Sequence, residues 1–360
     1  MSSPEIITKS PRYPELDSLR GIAVLIVLLH HYIYAYNYHF HILEDNQNYS
    51  IFGFLQSIFS YGTLGVHLFF IISGFVIFMT LERSKNSLDF IVSRFSRLYP
   101  AYWGAMLLTL VFLYLLPVPT LRGFSTKDIL MNLTMLQGLT KIPHIDQVYW
   151  TLLVEILFYT IMYVIFLTKN LNKIIPICAV WLLISLVSLY LPIPFKKYLD
   201  VLLILQYAPL FIAGILFYKL KKEGRISIGN HLLIISTMVV ESIWLIKSRE
   251  ADITSITILS VIYIVFYIFS LKNITFLRSR ILLFFGSISY SLYLLHNVIG
   301  YFIIYKLKES TYIAFVYISI PIIISITLSV LLNTFIEKPS MKYIREKYKL
   351  YKLSRPGVQL

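Results

Sequence analysis

Apolar segments about 17–25 residues long, enough to cross a bilayer as helix, recur from one end of this 360-residue chain to the other. Ten are read, at 19–38, 58–81, 99–116, 148–167, 173–191, 200–218, 231–247, 253–271, 284–305 and 312–336. Such runs leave a chain few options, because backbone N–H and C=O groups in hydrocarbon must be satisfied within the protein. The expected fold is therefore all-α, a polytopic membrane protein of about ten transmembrane helices. Only 14% of the residues are charged, against about 25% in soluble domains, so no separate soluble domain is expected. The chain divides into an N-terminal tail over 1–18, a transmembrane domain over 19–336 and a basic C-terminal tail over 337–360.

The formal net charge of +14 does not read as a nucleic-acid footprint. Lys and Arg gather on alternate connections, starting with the N-terminal tail, at about twice their number on the others. The positive-inside rule then puts both termini in the cytoplasm, which an even number of spans requires. The basic stretches would touch anionic lipid. The first apolar run is too long for a secretory signal and lacks a small-residue cleavage site, so it stays as the first helix. Cys178, the only cysteine, lies within the fifth span, which excludes an intrachain disulfide and argues against thiol chemistry. No Walker loop, dinucleotide fingerprint, internal repeat or metal-ligand pattern is present.

The polar residues inside these runs carry the functional signal, since ionisable groups at membrane depth are costly. The first run, LDSLRGIAVLIVLLHHYIY, opens with Asp17 and Arg20 and carries His30 and His31. Arg20 and His31 share one helical stripe, about 16 Å apart along the axis. In VYWTLLVEILFYTIMY, residues Thr151, Glu155, Tyr159 and Tyr163 follow at i+4, again one stripe. In FFGSISYSLYLLHNVIG the stripe is Gly286, Ser289, Tyr293 and His296, and YGTLGVHLFFIISGF adds His67. With alternating helix directions, His31 lies about 18 Å from one face and Glu155 about 10 Å from the other, in a core about 30 Å thick. His31, Glu155, His296 and His67 are thus expected in one layer, with His31 and Glu155 as an acid–base pair. At the cytoplasmic end Arg94 and Arg97, in SRFSRLYP, suit phosphate oxygens through forked, charge-assisted hydrogen bonds.

The order of these motifs resembles the membrane acyltransferase-3 family. In that family an Arg precedes a required His by ten intervening residues, which selects His31 over His30. GVHLFFIISGF, the Arg-x-x-Arg of SRFSRLYP, VYWTLLVEILFY, SISYSLYLLH and the IEKP of Ile336 to Pro339 follow in the family's order. Two positions depart from it: His67 stands where many members have an acid, and Ile156–Leu157 where many have a second acid and Gln. The stand-alone form is expected, without a fused hydrolase-like domain.

The resemblance implies an O-acyltransferase of the cytoplasmic (inner) membrane. It would move acetyl from cytoplasmic acetyl-CoA, a cosubstrate rather than a bound cofactor, to a carbohydrate hydroxyl on a free or lipid-linked glycan. Arg20, Arg94 and Arg97 would hold the donor's phosphates while its pantetheine arm spans the rise to His31. Asp17, His67, Ser73, Trp150, Ser289, Tyr293 and His296 would position substrate or stabilise an oxyanion. The rival reading is a secondary transporter or flippase using the buried layer as its substrate site. The inverted halves common in transporters are not visible in the sequence.

Overall fold

The computed structural model describes residues 13–36, 49–115, 123–191, 196–248, 252–308 and 314–354. Outside them lie positions 37–38 and 312–313 of two expected spans, residue 116 of a third, the start of the 117–147 connection and most of the N-terminal tail. Among the described residues the regular structure is helical throughout. Helix α1 (Pro14–Leu29) starts with Pro14 in its first turn, where a missing N–H costs nothing, and continues as a π-turn (His30–Ala35). Next come α2 (Tyr49–Phe59), α3 (Leu64–Arg83), α4 (Ser87–Leu115) and the short α5 (Thr126–Asn132). Ser125 and Asp128 close the start of α5 as a capping box, each side chain serving the other's backbone N–H. After them run α6 (Trp150–Leu167), α7 (Ile174–Ser188), α8 (Lys196–Leu202), α9 (Ala208–Glu223), α10 (Ile228–Lys247) and α11 (Ile253–Leu271). Last are α12 (Arg280–Lys308), α13 (Ala314–Leu332), a second π-turn (Asn333–Glu337) and α14 (Lys338–Ser354).

Among the described residues, eight stretches of helix are long and apolar enough to cross a membrane, and each contains or overlaps one of the ten expected spans. The remaining two expectations, 99–116 and 200–218, fall on α4 and on α8 with α9. The 200–218 run is not one helix. A turn through Ile204, at φ 46°, separates α8 from α9, and Pro209 restarts the helix in the first turn of α9. Proline removes the N–H that a continuous helix would need there. The C-terminal segment, expected as a tail, is helical through Ser354 and docks on α4. Lys352 donates to Asp89 at 2.9 Å, Tyr348 to the same carboxylate at 2.9 Å, and Arg345 Nε to Ser96 Oγ at 3.2 Å.

Two helix crossings organise the core, α1 on α12 and α3 on α9. Glycine permits both. A Cβ on Gly286 would stand 2.0 Å from the Asp17 carbonyl oxygen, and one on Gly214 would stand 2.1 Å from that of Ile71. Lipid-embedded helices gain cohesion from such close backbone approach rather than from the hydrophobic effect. The α1–α12 crossing sets Asp17 against Gly286, and Arg20 shares a cavity wall with Ser289 and Tyr293 of α12. Phe75, Phe158, Phe211 and Phe217, all fully buried, fill the space around α3 and α9.

Candidate active site

Three arginines converge at one end of the bundle. Arg20 of α1 pairs with Asp17 at 3.5 Å, one turn back on the same helix. Arg97 of α4 forms an ion pair with Glu337 of the second π-turn, and Ser291 of α12 donates to the other Glu337 oxygen at 2.6 Å. Arg94, one turn before Arg97, lies over the Tyr159 ring at 5.9 Å and donates from Nη2 to Ser93 Oγ at 3.0 Å. Its Nε is buried and has no hydrogen-bond partner among the described residues. A half-buried guanidinium with an unused, buried donor is suited to an incoming anion.

These arginines wall a cavity that also touches Ser73, Glu155, Tyr159, Ser289 and Tyr293, with Val66, Phe69 and Phe70 as its apolar side. Glu155 accepts hydrogen bonds from Tyr159, one turn on along α6, and from Ser73 of α3 at 3.3 Å. Ser289 spends its hydroxyl on the Gly286 carbonyl at 2.9 Å. Tyr293 accepts a hydrogen bond from the Thr151 hydroxyl at 2.9 Å, and its ring lies 5.6 Å from that of His296. The cavity wall ends at Tyr293, and neither His31 nor His296 belongs to it.

Beyond Tyr293 lies a second cluster. The His31 ring is 5.1 Å from His296, 5.3 Å from His30 and 5.8 Å from Tyr36. His30 turns away to the Phe59 carbonyl, 2.7 Å from its Nδ1. Nδ1 of His296 lies 2.9 Å from the Tyr293 carbonyl oxygen and 3.2 Å from that of Leu292. Carbonyls only accept, so Nδ1 carries the proton of the neutral ring, and Nε2 is left with a lone pair. That Nε2 is buried and has no partner among the described residues. His296, expected to position substrate or stabilise an oxyanion, thus presents Nε2 as a proton acceptor.

The expected single layer is resolved into separate groups. Glu155 belongs with the arginines and His31 with His296; no described contact joins Glu155 to His31. Equal depth along two axes does not fix which way two side chains face. The π-turn from His30 also departs from the 100° per residue that the stripe assumed. His67 joins neither group: its Nε2 is 3.2 Å from Glu241 of α10, and both side chains are buried. Trp150 packs on Tyr207 at 5.4 Å, while Asp17 and Ser73 serve Arg20 and Glu155.

Three acidic residues absent from the expected site thus hold structural partners within or beside it. Glu337 sits in the IEKP motif and Glu241 interrupts an apolar run, both visible signals. Asp146, fully buried before the turn Gln147–Tyr149, follows two residues after a histidine in a loop and resembles an ordinary turn residue.

The family model described as an acyltransferase domain, of the acyltransferase-3 type, matches residues 13–334. Acyltransferase MdmB of Streptomyces mycarofaciens is 29% identical over 153 residues. That match takes in 41% of this chain and 38% of the relative's length, so it spans well under half of either. No solved structure matches significantly. With the arginine-walled cavity and the family model covering nearly all of its helices, the chain belongs to the acyltransferase-3 family of membrane acyltransferases.

Proposed function

We propose that the protein is an inner-membrane O-acyltransferase that moves acetyl from cytoplasmic acetyl-CoA to a hydroxyl of a carbohydrate, free or lipid-linked. The observation that carries this reading is the shape of the site: a cavity with three arginines at one end and Tyr293, against His296, at the other. In this reading the chain has ten spans with both termini in the cytoplasm, so the arginine end faces the donor. Phosphates of coenzyme A bind Arg94, Arg97 and Arg20, with Asp17 and Glu337 holding the last two in place. The pantetheine arm then runs along the cavity toward Tyr293. Glu155, with Ser73 and Tyr159, acts at the donor end and meets the histidine pair only through bound substrate.

The chemistry falls to the imidazoles. The acceptor hydroxyl adds to the thioester carbonyl while its proton passes to His31, with His296 Nε2 as the adjoining acceptor. The C–S bond breaks, the sugar keeps the acetyl as an ester, and the proton goes to the departing thiolate. Tyr293, between cavity and imidazoles, positions the reacting groups. The carbohydrate class rests on the family resemblance and on the membrane setting.

Purified protein in proteoliposomes, given acetyl-CoA and a glycan acceptor, is expected to release free CoA as acetyl ester forms. His31→Ala and Glu155→Ala should each abolish transfer without loss of membrane insertion. Transfer at the wild-type rate in either variant removes that residue from the mechanism. Substrate flux across the bilayer with no acyl chemistry would replace the enzyme reading with a transporter.

A further inference from the structure

Asp146 touches neither cavity nor imidazole, yet it is the point on which the histidine cluster is hung. Its carboxylate accepts three hydrogen bonds: from Val148 N at 3.1 Å, from Asn297 Nδ2 at 2.6 Å and from Val298 N at 3.0 Å. The last is unusual. Val298 lies well inside α12, where an N–H ordinarily serves the carbonyl four residues back, that of Leu294. The Leu294 carbonyl also receives the Tyr149 hydroxyl at 3.3 Å. Carbonyls further along α12 also accept from outside the helix. Tyr32 donates to the His296 oxygen at 2.7 Å and Tyr36 to the Asn297 oxygen at 2.7 Å. Side chains from the first π-turn and from the loop therefore grip the α12 backbone at His296 itself.

We propose that Asp146 is a positioning residue for the His31–His296 pair, acting through Asn297, Tyr36 and the backbone of Val298. Two routes lead from its carboxylate. One runs directly to the α12 backbone two residues past His296. The other passes through the Asn297 amide, whose oxygen accepts from Tyr36 at 2.6 Å, to the ring that flanks His31 at 5.8 Å. Both routes need an anion. Three N–H donors converge on the carboxylate, and only the ionised form is an acceptor throughout, with no O–H of its own to place among them. In Asp146→Asn an NH2 group must face either Val298 N–H or the Asn297 amide, donor against donor, and the grip on one route is lost. This role rests on the acetyl-transfer reading for its consequence in rate, but not for its structural content.

The test uses full-length protein in nanodiscs with isotope-labelled histidine, comparing wild type, Asp146→Asn and Tyr36→Phe. In Asp146→Asn the imidazole signals of His31 and His296 should shift, and kcat should fall by about tenfold or more while KM for acetyl-CoA stays within about twofold. Tyr36→Phe, which removes one hydroxyl and no charge, should move the His31 signal with a smaller loss of kcat. Unchanged imidazole signals in Asp146→Asn would overturn the proposal whatever the rate. So would a loss of CoA binding alongside kcat, which marks a general packing role. If wild type transfers no acetyl group but the imidazole signals still shift in the variant, the function reading fails and the positioning role stands.

Discussion

Arg97 and Glu337 lie 240 residues apart in the chain and form an ion pair whose carboxylate is buried and whose guanidinium is partly exposed, with Ser291 closing the second carboxylate oxygen. The pair ties α4 to the turn after α13 and points one of the three site arginines at the cavity. Removing one partner of a fully buried pair costs about 3–5 kcal/mol, and the partial exposure of Arg97 at the cavity makes the cost here smaller. Glu337→Ala is therefore expected to lower the unfolding temperature in detergent and to weaken CoA binding together. Glu337→Gln, which keeps the shape but not the charge, should lose less stability. Equal thermal stability of Glu337→Ala and wild type would show that the pair contributes nothing.

Arg94 should behave differently, because its guanidinium has no carboxylate partner among the described residues to strand. Hydrogen bonds to charged groups contribute about 1.5–3 kcal/mol, so Arg94→Ala should raise KM for acetyl-CoA by about 10- to 100-fold with little change in unfolding temperature. Arg94→Lys should recover only part of that loss, since an ammonium cannot fork onto phosphate oxygens or stack on Tyr159. Steady-state kinetics against acetyl-CoA checks both, and an unaltered KM in Arg94→Ala removes Arg94 from the donor site.

At the α1–α12 crossing, Gly286→Ala is a one-carbon test of backbone proximity. The new Cβ would meet the Asp17 carbonyl oxygen at 2.0 Å, a backbone atom that cannot swing aside. Overpacking of this kind costs about 1–3 kcal/mol. Because Asp17 also holds Arg20, the variant should lose CoA affinity as well as stability, read by thermal unfolding and by ligand binding on one preparation. Gly53→Ala, where a Cβ meets nothing within 4 Å, is the matched control and should change neither.

The pH dependence of stability carries a signature of Asp146. Burial pushes its carboxyl up to about 6 from the ordinary 3.8, and hydrogen bonds from Asn297, Val298 and Val148 pull the other way without cancelling it. The folded state thus holds this proton more tightly than the unfolded state does. The sign follows: the cost of burying the charge is fully present above pH about 6 and is relieved as pH falls toward about 4. Asp146→Asn has no such proton. The unfolding temperature of wild type relative to Asp146→Asn should rise between pH 7 and pH 4, and a constant difference over that range would contradict the shift.

Much of this protein was legible in its sequence because the bilayer leaves few choices. Long apolar runs must become helices, and eight of the ten expected spans correspond to helix long and apolar enough to cross. The motif order was enough to point to the family, and the arginine positions were enough to point to one end of a site. The broken 200–218 run was also written in the chain, at Pro209. What the sequence could not supply is azimuth. Side chains at matching depth on different helices face wherever tertiary packing turns them, and a π-turn adds a rotation that no apolar pattern records.

That is why Glu155 meets the arginines and His31 meets His296, and why His67 finds Glu241. Composition and spacing by themselves determined a helical membrane protein with cations at one edge and imidazoles within. Only the folded structure decided which buried polar groups share a neighbourhood, because that depends on contacts between residues as far apart as Asp146 and Val298. Hydrogen bonds across such distances are satisfied by the whole bundle rather than by any one helix.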